Sequence, residues 1–348
     1  LIFHKMKPII TALPCKHEVH SDLDEQMKCI LAYKPLLAII SNDIININNV
    51  MYKNLETIHK GEYGELAIVE KDNDETYYWK YSPQGKRKLF KEAILQLLAY
   101  HALEKHGLKW AIPKIEKIFI HPEHGCGFLM SHPKDADIFA NYLQKSFNWK
   151  KSCEENDKIL IEVIAQISIF LCILEDTLQM NHRDLKTTNV VLIQKADDPF
   201  TLGYYRKGKR IVLNTDIKVM LVDFGFACIN TGSNIIAAGN YLPTFDGCPK
   251  EGRDLFLLLA NLWNVEAIRR CITPKMTLWF KKCLQGKKMS WTDHLIKIRD
   301  NTMKMVYLYT TSSEFEMPSC GASFVLESLA LSFPHLLSYS VPTLTANS

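Results

Sequence analysis

The sequence predicts an α+β fold, on three observations. Residues 55–81, 115–120 and 126–130 alternate apolar and polar residues in the manner of half-buried strands. Residues 86–105 and 135–180, and later segments such as Thr277–Leu284 and Trp291–Tyr309, repeat apolar residues at helical spacing. Two polar strings, N-H-R-D-L-K-T-T-N-V at Asn181–Val190 and V-D-F-G at Val222–Gly225, adjoin the β-branched runs Val190–Ile193 and Ile217–Val222. The 348 residues, 47% of them hydrophobic, suffice for one or two domains with a sizeable core.

Composition narrows the function classes. A net charge of +4 is too slight to argue for nucleic-acid or membrane partners, and neither is expected. The most apolar run, 159–174, is interrupted by Glu162 and Gln166, which suits a buried helix better than a membrane span. The ten cysteines include no C-x-x-C pair, and Cys172, Cys271 and Cys283 lie in apolar runs. Reduced thiols and a cytoplasmic location are therefore expected. No signal peptide is visible; the chain opens on Leu1, and Met6 is a candidate start.

The two strings carry the chemistry of phosphoryl transfer. An aspartate can accept the proton of an attacking hydroxyl, and an asparagine farther along the same loop can bind a metal. A second aspartate can hold the Mg²⁺ that bridges nucleotide phosphates. H-R-D-L-K-x-x-N followed about 40 residues later by D-F-G resembles the eukaryotic-type serine/threonine protein kinase family, over about residues 52–265. The resemblance implies a bilobal fold, with a small β-rich N-lobe carrying one main helix and a larger, mostly helical C-lobe. It divides the chain into an N-terminal extension (1–50), a small lobe (51–131) and a large lobe (132–348) with an insertion at 195–215. The compact large lobe and Pro318-Ser319-Cys320 faintly resemble kinases of large DNA viruses, which would place the chain in host cytoplasm.

In the extension, Ser21-Asp22-Leu23-Asp24 predicts a capped helix stopped by Pro35. Cys15, His17, His20 and Cys29 fit no common zinc spacing, and the segment is expected to pack on the small lobe. Within Ile58–Leu66, Gly61 and Gly64 match the second and third glycines of the family's phosphate loop, with His59 at the first. Glycine there lets backbone N–H groups approach phosphates. Lys80, 19 residues after Gly61, is by resemblance the phosphate-binding lysine. Glu92, 12 residues farther on, is its expected partner, ahead of Glu75, Gln96 and Glu104. Tyr78 replaces the small alanine usual over the adenine, and strand alternation puts it on the face of Lys80. The turn His121–Gly125 reads as an exposed hairpin tip in preference to a metal site. Met130 and His132 fall at the hinge between lobes, and with Leu66 and Val191 they complete the expected nucleotide pocket.

The insertion carries Arg206, Lys207, Lys209 and Arg210, read as a solvated hairpin in preference to a docking site for an acidic partner. Cys228–Lys250 resembles a short activation segment. By resemblance, Arg183 either anchors a phosphate carried by Thr231, Ser233, Tyr241 or Thr244, or meets a nearby carboxylate with no phosphorylation needed. The family's A-P-E string is missing, since no glutamate follows Pro243. Asp254 is expected to tie the start of a buried helix to the backbone of the catalytic loop, or simply to favour the helix dipole.

By resemblance, Asp184 is the catalytic base and Lys186 contacts the transferred phosphate, as in the serine/threonine branch. Asn189 and Asp223 hold Mg²⁺, which suits their all-oxygen character. Lys80, held by Glu92, meets the phosphates of ATP, while His182 and Phe224 pack beneath. Three readings compete. The first is an active kinase of protein Ser/Thr hydroxyls. The second is a pseudokinase scaffold, supported by His59, Tyr78 and the missing A-P-E. The third is a small-molecule phosphotransferase, against which Phe224-Gly225 argues. Survival of Lys80, Asp184, Asn189 and Asp223 together favours the first.

Overall fold

The computed structural model describes residues 9–12, 36–41, 44–61, 64–71, 75–82, 89–121, 125–133, 135–146, 152–193, 199–206, 208–232, 235–238, 247–287, 289–297, 317–318 and 320–340. The helix expected after Ser21, the Cys15–Cys29 group, most of the tip at His121–Gly125, Ser233, Tyr241–Thr244 and the end of Trp291–Tyr309 lie outside those residues.

After a short strand β1 (Ile9–Ala12), seven strands close a barrel. They are β2 (Leu36–Ser41), β3 (Ile44–Ile47), β4 (Val50–Gly61), β5 (Gly64–Lys71), β6 (Glu75–Tyr81), β7 (Ile115–His121) and β8 (Gly125–Ser131). Their order is β2-β3-β4-β5-β6-β8-β7, and the parallel pair β2–β7 shuts the ring. The pleat of β6 shows how the sequence sets two faces. Trp79 is buried and stacks on Tyr81, ring centroids 3.9 Å apart. With Ile45, Ile47, Val69, Phe119 and Leu129 it fills one core. Tyr78 and Lys80 take the opposite face, where Tyr78 joins a second, larger core that includes Leu95, Leu98 and Ala99 of α1 (Phe90–Glu104). Gly64 ends the β4–β5 hairpin at φ +147°, and a Cβ there would stand 2.8 Å from the Tyr81 carbonyl oxygen.

The barrel takes in β2 and β3, which lie within the stretch expected to be an extension. Leu36–Ile40 is an unbroken apolar run, which hides the alternation of a strand.

The large lobe opens with β9 (Ala136–Ile138), α2 (Phe139–Ser146) and α3 (Cys153–Leu178). Ser152 caps α3 with a reciprocal pair: its Oγ accepts from Glu155 N at 3.2 Å, and Glu155 Oε2 accepts from Ser152 N at 3.0 Å. The two polar residues that interrupt this apolar helix have partners. Thr215 Oγ1 donates to Glu162 at 2.9 Å, and Gln166 Nε2 donates to the Ile217 carbonyl at 2.9 Å. They bind the helix to the segment Thr215–Ile217, just ahead of the strand that leads to Asp223. Among the described residues, no helix is long and apolar enough to cross a membrane.

There follow β10 (Met180–Asn181), β11 (Val190–Ile193), β12 (Phe200–Arg206), β13 (Lys209–Thr215), β14 (Lys218–Leu221), β15 (Cys228–Asn230) and β16 (Ile235–Ala237). Helices α4 (Arg253–Asn264), α5 (Glu266–Cys271), α6 (Pro274–Cys283), α7 (Trp291–Lys297) and α8 (Ala322–Ser332) precede the last strand, β17 (Leu337–Ser340). Two small sheets, β9-β11-β14 and β10-β15-β16, flank the two polar strings.

Three expectations are corrected here. The insertion is no solvated hairpin: β12 and β13 are the middle of a four-stranded sheet, β1-β12-β13-β17. Phe200, Leu202, Tyr204, Ile211 and Leu213 bury its inner face. Its described cations have partners at the sheet's edge with solvent, Arg206 with Asp176 at 2.7 Å and Lys209 with Glu327 at 2.7 Å, while the Arg210 guanidinium lies 5.4 Å from the Tyr205 ring centre. Second, the described residues of the extension do not pack on the small lobe alone: β2 and β3 join its barrel, as expected, whereas β1 pairs with β12 of the large lobe. Third, not all cysteines are free thiols, because Cys228 and Cys248 form a disulfide with Cα atoms 6.4 Å apart. Asn181 brings them together, since it pairs with Cys228 across β10–β15 and its Oδ1 accepts from Lys250 N at 2.6 Å.

Candidate active site

The loop at residues 182–189 is hung from helix α4. Asp254, buried in the first turn, accepts from His182 N at 2.8 Å and from Arg183 N at 2.7 Å. These bonds hold Arg183 at φ 67°, a left-handed conformation that costs a non-glycine residue about 1–3 kcal/mol. One helical stretch farther on, Asn261 Oδ1 accepts from both Thr187 N (2.9 Å) and Thr187 Oγ1 (2.8 Å). Asn261 was not singled out in the sequence; its only signal is a lone polar residue inside the buried run L-L-L-A-N-L-W.

This suspension fixes Asp184. Asn189 Nδ2 donates to the Asp184 carbonyl at 2.8 Å and to Asp184 Oδ2 at 2.9 Å. Lys186 Nζ donates to Asp184 Oδ1 at 3.1 Å and to Oδ2 at 2.9 Å. The carboxylate therefore has a set orientation and a cation beside it.

The second string arrives on the neighbouring strand. β11 and β14 pair with Val190 opposite Leu221, and Val222 N donates to the Asn189 carbonyl at 3.1 Å. Asn189 and Asp223 thus leave adjacent strand ends. The His182 imidazole lies 3.0 Å from the Val222 carbonyl, which accepts from Nε2–H, and its ring is 4.8 Å from that of buried Phe224. Asp223 is itself held at φ 64°.

The small lobe supplies the third part. Lys80 Nζ donates to Glu92 Oε1 at 2.6 Å and to Asp223 Oδ1 at 2.9 Å. Burial opposes its charge, but Glu92 and Asp223 outweigh burial and hold the ammonium above the usual lysine range. The rival partners are engaged elsewhere. Gln96 donates to the Pro113 carbonyl at 2.8 Å, Glu75 binds Lys71 and Tyr77, and Glu104 binds Tyr100 and His101.

Around the expected nucleotide pocket, Gly61 pairs with Gly64 and Leu66 with Lys80 across the β4–β5–β6 ribbon. Met130 is buried and sits opposite Tyr78 on β8. His132 meets the Tyr78 ring edge-on at 4.4 Å, and its Nδ1 is 3.2 Å from Thr76 Oγ1. Val191 lies on β11 opposite Met220 and Ile138. In the activation segment Thr231 is buried, which leaves its hydroxyl poorly placed for modification.

The metal test is one of donor chemistry. The Asn189 amide nitrogen is committed to Asp184, so the atom this side chain can offer a cation is its oxygen. Asp223 adds a carboxylate that is 38% exposed. Among the described residues there is no cluster of three or more His, Cys, Asp or Glu that could cage an ion. Two oxygen ligands and no cage fit Mg²⁺, which keeps waters and substrate oxygens as its other ligands.

No protein-family model and no curated protein matches the chain. Solved structures do. The BubR1 kinase domain is similar with a TM-score of 0.50 and 12% identity, covering 93% of this chain and 95% of that one. Vaccinia related kinase 3 is similar with a TM-score of 0.46 and 13% identity, covering 90% of this chain and 96% of that one. At such identity the BubR1 likeness speaks for architecture, and the architecture is the one the two strings imply: this chain has a bilobal, protein-kinase-like fold.

Proposed function

We propose that the chain transfers the γ-phosphoryl group of ATP to serine or threonine hydroxyls of a protein substrate, in the cytoplasm. The observation that carries this is the convergence on Lys80. Its Nζ reaches Glu92, 12 residues away, and Asp223, 143 residues away, while Asp184 is oriented by Lys186 and Asn189. An Asp184 oxygen takes the proton of the attacking hydroxyl. The Lys186 ammonium beside it offsets negative charge where the phosphoryl group passes, and its identity supports Ser/Thr over Tyr acceptors. Lys80, held by Glu92, exchanges its contact with Asp223 for nucleotide phosphates. Asn189 and Asp223 would hold Mg²⁺, which would supply charge neutralisation to those phosphates.

A second reading, a nucleotide-binding scaffold without turnover, is favoured by one observation: the Tyr78 ring abuts His132 at the hinge. Incubation with γ-labelled ATP, Mg²⁺ and a mixed Ser/Thr/Tyr peptide library separates the two. Label on Ser/Thr peptides supports transfer; ATP binding with no label supports the scaffold.

A further inference from the structure

A groove of about 360 Å³ lies between α6 and α8, formed by residues that take no part in the site above. Leu278 and Leu331 line it and are 66% and 65% exposed, the most exposed large apolar side chains among the described residues. Single exposed leucines are ordinary, but two that line one slot are a patch in want of cover. Trp279 is buried beneath them, and its indole N–H has no hydrogen-bond partner among the described residues.

Charge tells what covers the slot. Lys275 and Lys282 also line it, and their ammonium groups lie over the rings of Phe333 (5.2 Å) and Phe324 (6.0 Å), not against carboxylates. Helix α6 reads P-K-M-T-L-W-F-K-K-C, with three lysines and no acid. The single acid of α8, Glu327, is bound to Lys209 at 2.7 Å. Among the described residues no carboxylate pairs with either lysine, so the slot is apolar inside and positive along its rim.

We propose that this groove docks a segment of a partner protein in which a leucine or phenylalanine is flanked by glutamates or aspartates. The apolar anchor covers Leu278 and Leu331, and the flanking carboxylates meet Lys275 and Lys282. Such a site recruits its partner whether or not the catalytic cleft turns over.

The test is fluorescence anisotropy with the full chain and three short peptides: Leu/Phe anchors flanked by glutamates, the same anchors flanked by lysines, and polyglutamate without anchors. The anchored acidic peptide should bind at least about tenfold tighter than either control, and weaken as salt rises from about 50 to 300 mM. The double variant Lys275→Glu/Lys282→Glu, with unchanged thermal stability, should lose about tenfold in affinity, and Leu331→Ser should lose a comparable amount. Equal binding of anchored peptides of either charge, equal binding of polyglutamate, indifference to both variants, or no binding would each overturn the proposal. Concentration-dependent self-association abolished by the charge reversal would do so too, by assigning the groove to a second copy.

Discussion

Lys80 is gripped by two carboxylates that the chain brings from different lobes, and its neighbours decide what each substitution does. Glu92 is 1% exposed, so removing its cation leaves a buried charge; breaking such a pair costs about 3–5 kcal/mol. Lys80→Met should therefore lower thermal stability as well as turnover, while Glu92→Gln, nearly isosteric, should mainly impair turnover. Because the two act as one unit, the double variant should be little worse in turnover than Lys80→Met alone. Steady-state kinetics on the four proteins checks this, and additive losses would remove Glu92 from its role. Tyr78 shares the face of Lys80 and packs edge-on against His132 at the hinge. Tyr78→Ala should tighten ATP binding about tenfold and leave the catalytic step nearly unchanged, since it removes bulk and no reacting group. Calorimetric titration decides it: weaker binding to the alanine variant would mean that the ring stacks on the base.

Elements differ in how much of them sequence alone reveals. The Lys80–Glu92 pair and the meeting of the two polar strings at adjacent strand ends were legible because residue types stand there at a fixed spacing. Asn261 was not, because a hydrogen bond across 74 residues leaves no local pattern. Nor was the sheet β1-β12-β13-β17, whose outer strands come from the two ends of the described chain. Charge in β12–β13 read as solvation, since Asp176 and Glu327 become partners only in the fold. Leu337 anchors that sheet, fully buried opposite Leu213. Leu337→Ala should cost about 2–5 kcal/mol in denaturant unfolding; a cost near zero would mean that β17 is not docked. The last turn of α3 makes a pH prediction. Glu175 is pushed from 4.5 to about 8 by burial, then by Asp254, Glu251 and Asp176. The folded state thus binds a proton that the unfolded chain has released, and stability from this group falls as pH rises between about 4.5 and about 8. Glu175→Gln should be more stable than the parent by over about 1 kcal/mol near pH 8, the advantage shrinking toward pH 4.5. Melting curves across that range check it, and a gain that grows toward acid would contradict it.

At the scale of the whole molecule, the small lobe contributes Lys80 and Glu92, the large lobe Asp184, Asn189 and Asp223, and the packing of α1 against α3 joins them. The account stands on these parts forming one phosphoryl-transfer site. The most direct measurement compares the parent chain with Asp184→Asn, following Mg²⁺-ATP binding by thermal shift and transfer from γ-labelled ATP to Ser/Thr peptides. Asn keeps the shape of the side chain and removes its basicity. The expected result is nearly unchanged nucleotide binding with transfer reduced by several powers of ten. Transfer by the variant at the parent rate would contradict the assignment of Asp184 and with it the site as described.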